Sequence, residues 1–147
     1  MISSAAMVWP CAMVVEVTRE ALEAMRRAAR LAHPHEACGI LLGPASRVTT
    51  LCEATNVHPS PQTHFEIDPQ ALIDAHRQAR DGGPAVLGYF HSHPSGPAEP
   101  SATDVEMAAG DGSIWAICAG ESDASDIRFF RSGKGGFTRL SMDLIDG

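Results

Sequence analysis

Two spacings of apolar residues organise this chain. Short apolar runs predict strands, and two longer stretches follow the helical repeat. Cys11 to Val17 (CAMVVEV) predicts a first strand. Leu22, Met25, Ala29 and Ala32 then recur at helical spacing, which predicts an amphipathic helix over 19–32. Thr18 stands where an N-cap belongs, and Glu20 puts a negative charge in the first turn. His33-Pro34 ends the helix, because a residue before proline is pushed out of the α region. Residues 1–10 read as a loose lead-in, and residues 11–147 as a single domain.

Ala37 to Leu42 (ACGILL) is continuously apolar and closes on Gly43-Pro44, the pattern of a buried strand. Arg47 to Glu53 alternates and carries β-branched residues, which predicts a strand paired with the one before it. Residues 54–66 form a long irregular connection with Pro59 and Pro61. Asp68 caps a second helix with Pro69 at its first position; it runs to about Arg80 and stops at Asp81-Gly82-Gly83. Ala85 to Phe90 predicts a core strand that leads into His91-Ser92-His93-Pro94. A loop with Gly96, Pro97 and Pro100 follows, and Ser101 begins a short helix to about Ala109. Ser113 to Ala119 predicts another core strand, Ile127 to Arg131 an edge strand, and Phe137 to Leu140 a last one. There is no internal repeat. Strand pairs with separated helices predict an α+β fold, with a mixed central sheet flanked by helices.

Composition narrows the function classes. The chain has 147 residues, 44% apolar and 20% charged, which are ordinary globular values. Its net charge of −7 lacks the basic stripe of a nucleic-acid binder. Arg26, Arg27 and Arg30 fall within the helical pattern and read as a solvated face. Neither nucleic acid nor a membrane surface is an expected partner. Cys11, Cys38, Cys52 and Cys118 form no C-x-x-C pair and lie in apolar surroundings. They read as free thiols of a reducing cytoplasm, not as a disulfide or zinc framework. No apolar run approaches 18 residues, and Met1 to Val15 lacks the positive n-region of a secretory signal. The expected location is the cytoplasm.

One stretch carries chemistry: His91-Ser92-His93-Pro94, six residues, then Ser101-Ala102-Thr103-Asp104. Histidines at i and i+2 on a strand face the same side. Asp104 on the next helix can add a carboxylate oxygen. Two His and one Asp make three protein ligands, which leaves a fourth tetrahedral position for water, as in catalytic zinc sites. Plainer accounts exist for each part. Ser101-x-x-Asp104 also fits a capping box with Asp in place of Glu, and His-x-His pairs occur by chance. Their combination after a hydrophobic strand favours the metal. A bound water needs a base, and the candidate is Glu36, at the mouth of the Ala37–Leu42 strand. Alone, Glu36 also reads as an ordinary exposed carboxylate.

The run His33-Pro34-His35-Glu36-Ala37-Cys38-Gly39-Ile40-Leu41-Leu42-Gly43, together with His91-Ser92-His93-Pro94-x6-Ser101-x-x-Asp104, resembles the JAMM (MPN-plus, JAB) metalloproteases. Their motif is a Glu, then His-x-His-Pro, then a Ser and an Asp at this spacing. Asn56 and Phe65-Glu66-Ile67-Asp68-Pro69 also look like the compact prokaryotic members. The resemblance runs from the first strand to about residue 131. It implies an MPN/JAB-like fold and one Zn2+ per chain, held by His91, His93 and Asp104. It implies Glu36 as general acid/base, and Ser101 as the hydroxyl that contacts the bound water and steadies the oxyanion. The implied reaction is hydrolysis of a peptide or isopeptide bond after the C-terminal Gly-Gly of a ubiquitin-like protein. Members that select polyubiquitin carry inserted segments around the site, whereas the connection at 109–113 here is minimal. The compact class releases a C-terminal residue from a β-grasp sulfur-carrier protein, and the tail of such a carrier is the expected partner.

Rival readings are a non-catalytic MPN-type scaffold, a zinc deaminase and a thiol hydrolase. The intact Glu36, His91, His93 and Asp104 set argues against the scaffold. A deaminase needs a Pro-Cys-x-x-Cys run that this chain lacks. Cys38 beside Gly39 reads as a small buried residue more readily than as a nucleophile. His33 and His35 read as surface loop, His58 and His64 as part of the long connection, His76 as a structural residue on a helix face, and Trp115 as core.

Overall fold

In the computed structural model, which describes residues 14–120 and 126–146, β1 (Val14–Thr18) leads directly into α1 (Arg19–Ala32). The expected lead-in 1–10, and Cys11 at the head of the expected first strand, lie outside the described residues. The Thr18 hydroxyl oxygen accepts the Ala21 N–H at 3.1 Å, which satisfies one of the open donors of the first turn. Ala21, Leu22, Met25, Ala28 and Ala29 form the buried face of α1. That stripe joins Val15, Val17, Leu41, Phe90, Ala116 and Phe129 of the sheet in one core. Met25 and Phe90 are fully buried, and each such side chain contributes about 1.5–3 kcal/mol.

The other strands are β2 (Cys38–Gly43), β3 (Arg47–Val48), β4 (Thr50–Ala54), β5 (Ala85–His93), β6 (Ile114–Ala119), β7 (Asp126–Gly133) and β8 (Gly136–Ile145). They form one sheet in the order β3-β1-β8-β7-β6-β5-β2-β4. β1 runs parallel to both neighbours and β5 parallel to β6; the remaining pairs are antiparallel. The mixed sheet and its flanking helices match the expected α+β class. α2 (Pro69–Arg80) covers the opposite face, where Ile40, Phe65, Ile67, Ala75, Trp115 and Phe130 are buried together. Its Asp68 cap accepts the Gln70 N–H at 3.1 Å. No helix among the described residues is long and apolar enough to cross a membrane.

Two expectations need correction. The segment 47–54 is not one strand paired with β2. It changes partner at Thr49: Arg47 and Val48 pair with β1, and Thr50 to Ala54 pair with β2. The two outer strands of the sheet are thus consecutive pieces of one segment, so the sheet curls until its edges nearly meet. Ile127 to Arg131 is not an edge either, because β7 lies between β6 and β8. The cause is β8, which takes the free side of β7. Its first half pairs with β7, and Ser141 to Ile145 continue alongside β1. Met142 and Leu144 there stay 39% and 38% exposed, so pairing and not burial fixes this stretch.

The end of β5 is the position that matters for chemistry. It is flanked by β2, with Cys38 opposite His91, and by β6, with Ile117 opposite His91 and Ala119 opposite His93. Glu36 lies just before β2, so the register brings it beside the two histidines.

Candidate active site

Strand alternation sends His91 and His93 to one side and Ser92 to the other. α3 (Ala102–Met107) brings Asp104 to meet them. Asp104 Oδ2 lies 3.1 Å from His91 Nε2 and 3.1 Å from His93 Nε2, and the two nitrogens are 3.1 Å apart. All three residues are buried. Tetrahedral ligands at about 2.0–2.1 Å from a zinc-sized ion stand roughly 3.3 Å from one another, so this triangle is the right size to hold a metal. The tautomer points the same way. His93 Nδ1 donates to the Pro97 carbonyl at 2.7 Å, so in the neutral ring Nε2 carries only a lone pair. That lone pair faces a carboxylate oxygen, and the two repel unless a proton or a cation lies between them.

Protonation follows from burial and partners. Full burial pushes the His91 pKa down, which keeps the ring neutral and able to ligate. Its Nδ1 has no partner among the described residues. Burial would lower the His93 pKa too, but hydrogen bonds to Asp104 and Pro97 raise it overall. Burial opposes ionisation of Asp104, yet the two imidazoles and the Ser101 N–H hold its carboxyl well below the usual carboxylate range.

Capping box and metal cluster, read from the sequence as competing accounts, share the same atoms. Ser101 Oγ accepts the Asp104 N–H at 3.1 Å, and Asp104 Oδ2 accepts the Ser101 N–H at 2.9 Å. The box therefore aims the carboxylate at the histidines. Ser101 is exposed at the cleft, and among the described residues its hydroxyl accepts the Asp104 N–H and donates to no partner.

Glu36 lines the same cleft, with Gln62, Thr63, His93, Pro97 and Ser101. It is only 7% exposed. Burial, with the nearby Asp104 charge, pushes its carboxyl up to about 7 against the opposing pull of His93. Its backbone is bound on both sides. The Glu36 N–H donates to the Pro61 carbonyl at 2.7 Å, and its carbonyl accepts from Asn56 Nδ2 at 3.1 Å. The next residue, Ala37, exchanges two hydrogen bonds with Ser92. Ser92 Oγ accepts the Ala37 N–H at 2.8 Å, and the Ser92 N–H donates to the Ala37 carbonyl at 3.1 Å.

Other candidates fall outside the cluster. Burial, with the neighbouring Glu36, pushes the Cys38 thiol up to about 12, so it stays protonated and is a poor nucleophile. His58 and His64 stack on each other in the connection at 4.6 Å. His33 and His35 are exposed, and His76 lies on α2. The sequence reading missed the supports. Phe65 stacks on His91 at 4.3 Å, and Trp115 meets the same ring edge-on at 5.6 Å. The Pro97 carbonyl carries no side-chain signal, and Ser92 reads as filler between two histidines.

Comparison with known proteins identifies the family. The family model described as prokaryotic homologs of the JAB domain matches residues 18–133. Desampylase from Haloferax volcanii is 35% identical over 88 residues, covering 58% of this chain and 63% of that protein. The chain thus spans less than two thirds of that relative's length. The CysO-cysteine peptidase of Mycobacterium tuberculosis is 28% identical over 136 residues, covering 90% of this chain and 92% of the relative. The solution structure of a Desulfitobacterium hafniense protein superposes with a TM-score of 0.79 at 31% identity, covering 92% of this chain and 94% of that one. With a family match that spans residues 18–133, and so takes in Glu36, His91, His93 and Asp104, this chain belongs to the prokaryotic homologs of the JAB domain.

Proposed function

We propose that this protein is a zinc-dependent hydrolase. It cuts the peptide or isopeptide bond that follows the C-terminal Gly-Gly of a ubiquitin-like sulfur-carrier protein. The observation that carries the proposal is a buried carboxyl, Glu36, lining one cleft with His93, a member of the buried His91, His93 and Asp104 triangle. The name CysO-cysteine peptidase, borne by a relative that matches nearly end to end, supports a hydrolytic reading.

His91, His93 and Asp104 hold the zinc, one ion per chain. When bound, the ion supplies Lewis acidity, which acidifies water and polarises the scissile carbonyl. Glu36 moves the protons. Its carboxylate takes one from the attacking water as the new C–O bond forms, then returns it to the leaving nitrogen as the C–N bond breaks. Burial raises this carboxyl and a bound zinc ion draws it back down, which suits a group that first accepts and then returns a proton near neutral pH. Ser101 donates its free hydroxyl hydrogen to the oxyanion, and a donor of this kind is worth roughly 3 kcal/mol. Gln62 and Thr63 form part of the wall along which an extended, side-chain-poor tail lies. We place the reaction in the cytoplasm, where Cys38 and Cys52 remain thiols.

The test is to incubate zinc-loaded protein with β-grasp carriers that bear C-terminal extensions, and to weigh the products by mass spectrometry. Release of the extension at the Gly-Gly, lost with chelator and with Glu36→Gln, is the expected result. Zinc-holding protein that trims no such carrier overturns the substrate assignment.

A further inference from the structure

We propose that Asn56 is the positioning residue for Glu36, holding the base and the adjoining cleft wall as one unit. The inference rests on the reading of Glu36 as the proton carrier. Between β4 and α2 the chain is irregular, with one isolated bridge, Asn56 to Ile67. Backbone groups in such a stretch must find partners outside regular ladders. The Asn56 side chain supplies five. Its Nδ2 donates to the carbonyls of His64 at 3.0 Å, Glu36 at 3.1 Å and Pro61 at 3.4 Å. Its Oδ1 accepts the N–H groups of Glu66 at 3.0 Å and His58 at 3.1 Å. Both hydrogens and both lone pairs of the amide are therefore engaged. The reversed amide would set N–H against N–H and oxygen against three oxygens, so its orientation is unambiguous.

These bonds converge on the reacting group. The Pro61 carbonyl accepts from Glu36 N–H as well as from Asn56, so Glu36 is tied to the connection through both its N–H and its C=O. Gln62 and Thr63, which line the cleft, lie between two of the carbonyls that Asn56 holds, Pro61 and His64. Loss of the amide frees the Glu36 carbonyl and the 60–66 segment together. A proton carrier displaced by about 1 Å can lose on the order of a hundredfold in rate. Aspartate cannot replace the amide, because it offers only acceptors to three carbonyls. Glutamine carries the same groups one methylene too far.

The experiment compares wild type, Asn56→Ala, Asn56→Ser, Glu36→Gln and the double variant Glu36→Gln/Asn56→Ala, all metal-loaded, on a carrier conjugate that the wild type cleaves. Metal content and melting temperature are measured on the same samples. The expected result for Asn56→Ala is a kcat at least about tenfold lower with metal retained, while KM rises by a smaller factor as the cleft wall loosens. The double variant is expected to be no slower than Glu36→Gln alone, because a misplaced base that is already absent costs nothing more. A purely structural role would lower the melting temperature and leave kcat per folded, metal-loaded molecule unchanged. If Asn56→Ala does not fold, Asn56→Ser carries the same criterion. A kcat within about twofold of wild type, whether or not KM rises, overturns the inference while Glu36 stands. A wild-type rate for Glu36→Gln removes the base itself and the inference with it.

Discussion

The two sides of the cleft are held by different kinds of structure. His91 and His93 stand on β5, laddered on one side to β2 and on the other to β6, and Asp104 is fixed by its capping box. Glu36 stands at the exit of a loop and is held by Pro61, by Asn56, and by Ser92 through Ala37. The first side is fixed by many cooperative backbone bonds, the second by a few bonds across irregular chain. Metal holding and proton transfer should therefore be separable: each can be lost while the other survives.

The largest effect should come from the ligand side. His91→Ala or Asp104→Ala leaves two ligands, so the metal is lost and turnover falls by about a thousandfold or more. Metal analysis beside an activity assay checks both halves. Glu36→Gln should do the reverse, keeping the metal while kcat drops by about 10²–10⁴-fold. A Glu36 variant of near-normal rate would break the division between the two sides. Ser101→Ala touches both. It removes the acceptor for the Asp104 N–H, which costs about 1 kcal/mol of stability, and it removes the oxyanion donor, which slows turnover by roughly a hundredfold. Thermal melts and kinetics on one preparation separate the two losses.

A pH series sharpens the picture of Glu36. Its folded carboxyl titrates at about 7 against an ordinary 4.5, so below neutrality it is protonated and cannot take a proton. A bound zinc ion beside the carboxylate favours its charged form, so in the metal-loaded enzyme kcat/KM is expected to rise with pH and to level off below about 7. Stability runs the other way. The carboxyl holds its proton longer in the folded chain than in the unfolded one. Its contribution is therefore fully present below the unfolded value and is lost as pH rises through the folded one. In metal-free protein Glu36→Gln should raise Tm at pH 8, and raise it less toward pH 5. The smallest effect belongs to Cys38→Ala. Its thiol sits near 12 and takes no part in the reaction, so the rate should stay within about twofold, with a stability cost of about 1 kcal/mol.

The same contrast explains what the sequence discloses. The ligand side is compressed into His91 to Asp104 and built on a strand and a capped helix, both of which have periodic or positional signatures. The α1 face, the α2 cap at Asp68 and the core strands are legible for the same reason. The supports of Glu36 are spread from Asn56 to Ser92 and are isolated backbone and side-chain bonds, which leave no repeat in the residue pattern. Asn56 in a proline-flanked connection is indistinguishable from any turn asparagine until its five partners are seen. The partner switch at Thr49 and the interior place of β7 were hidden for another reason. Each depends on which distant strand pairs beside it, and the alternation Leu140-Ser141-Met142-Asp143-Leu144 marks a strand without naming its partner.

The most direct test of the central claim is metal content by mass spectrometry of freshly purified, untagged protein, kept free of chelator and run beside His91→Ala. The account predicts about one zinc per wild-type chain and none in the variant. No metal in either, even after zinc is added, would contradict it, leaving His91, His93 and Asp104 as a buried hydrogen-bonded cap and nothing more.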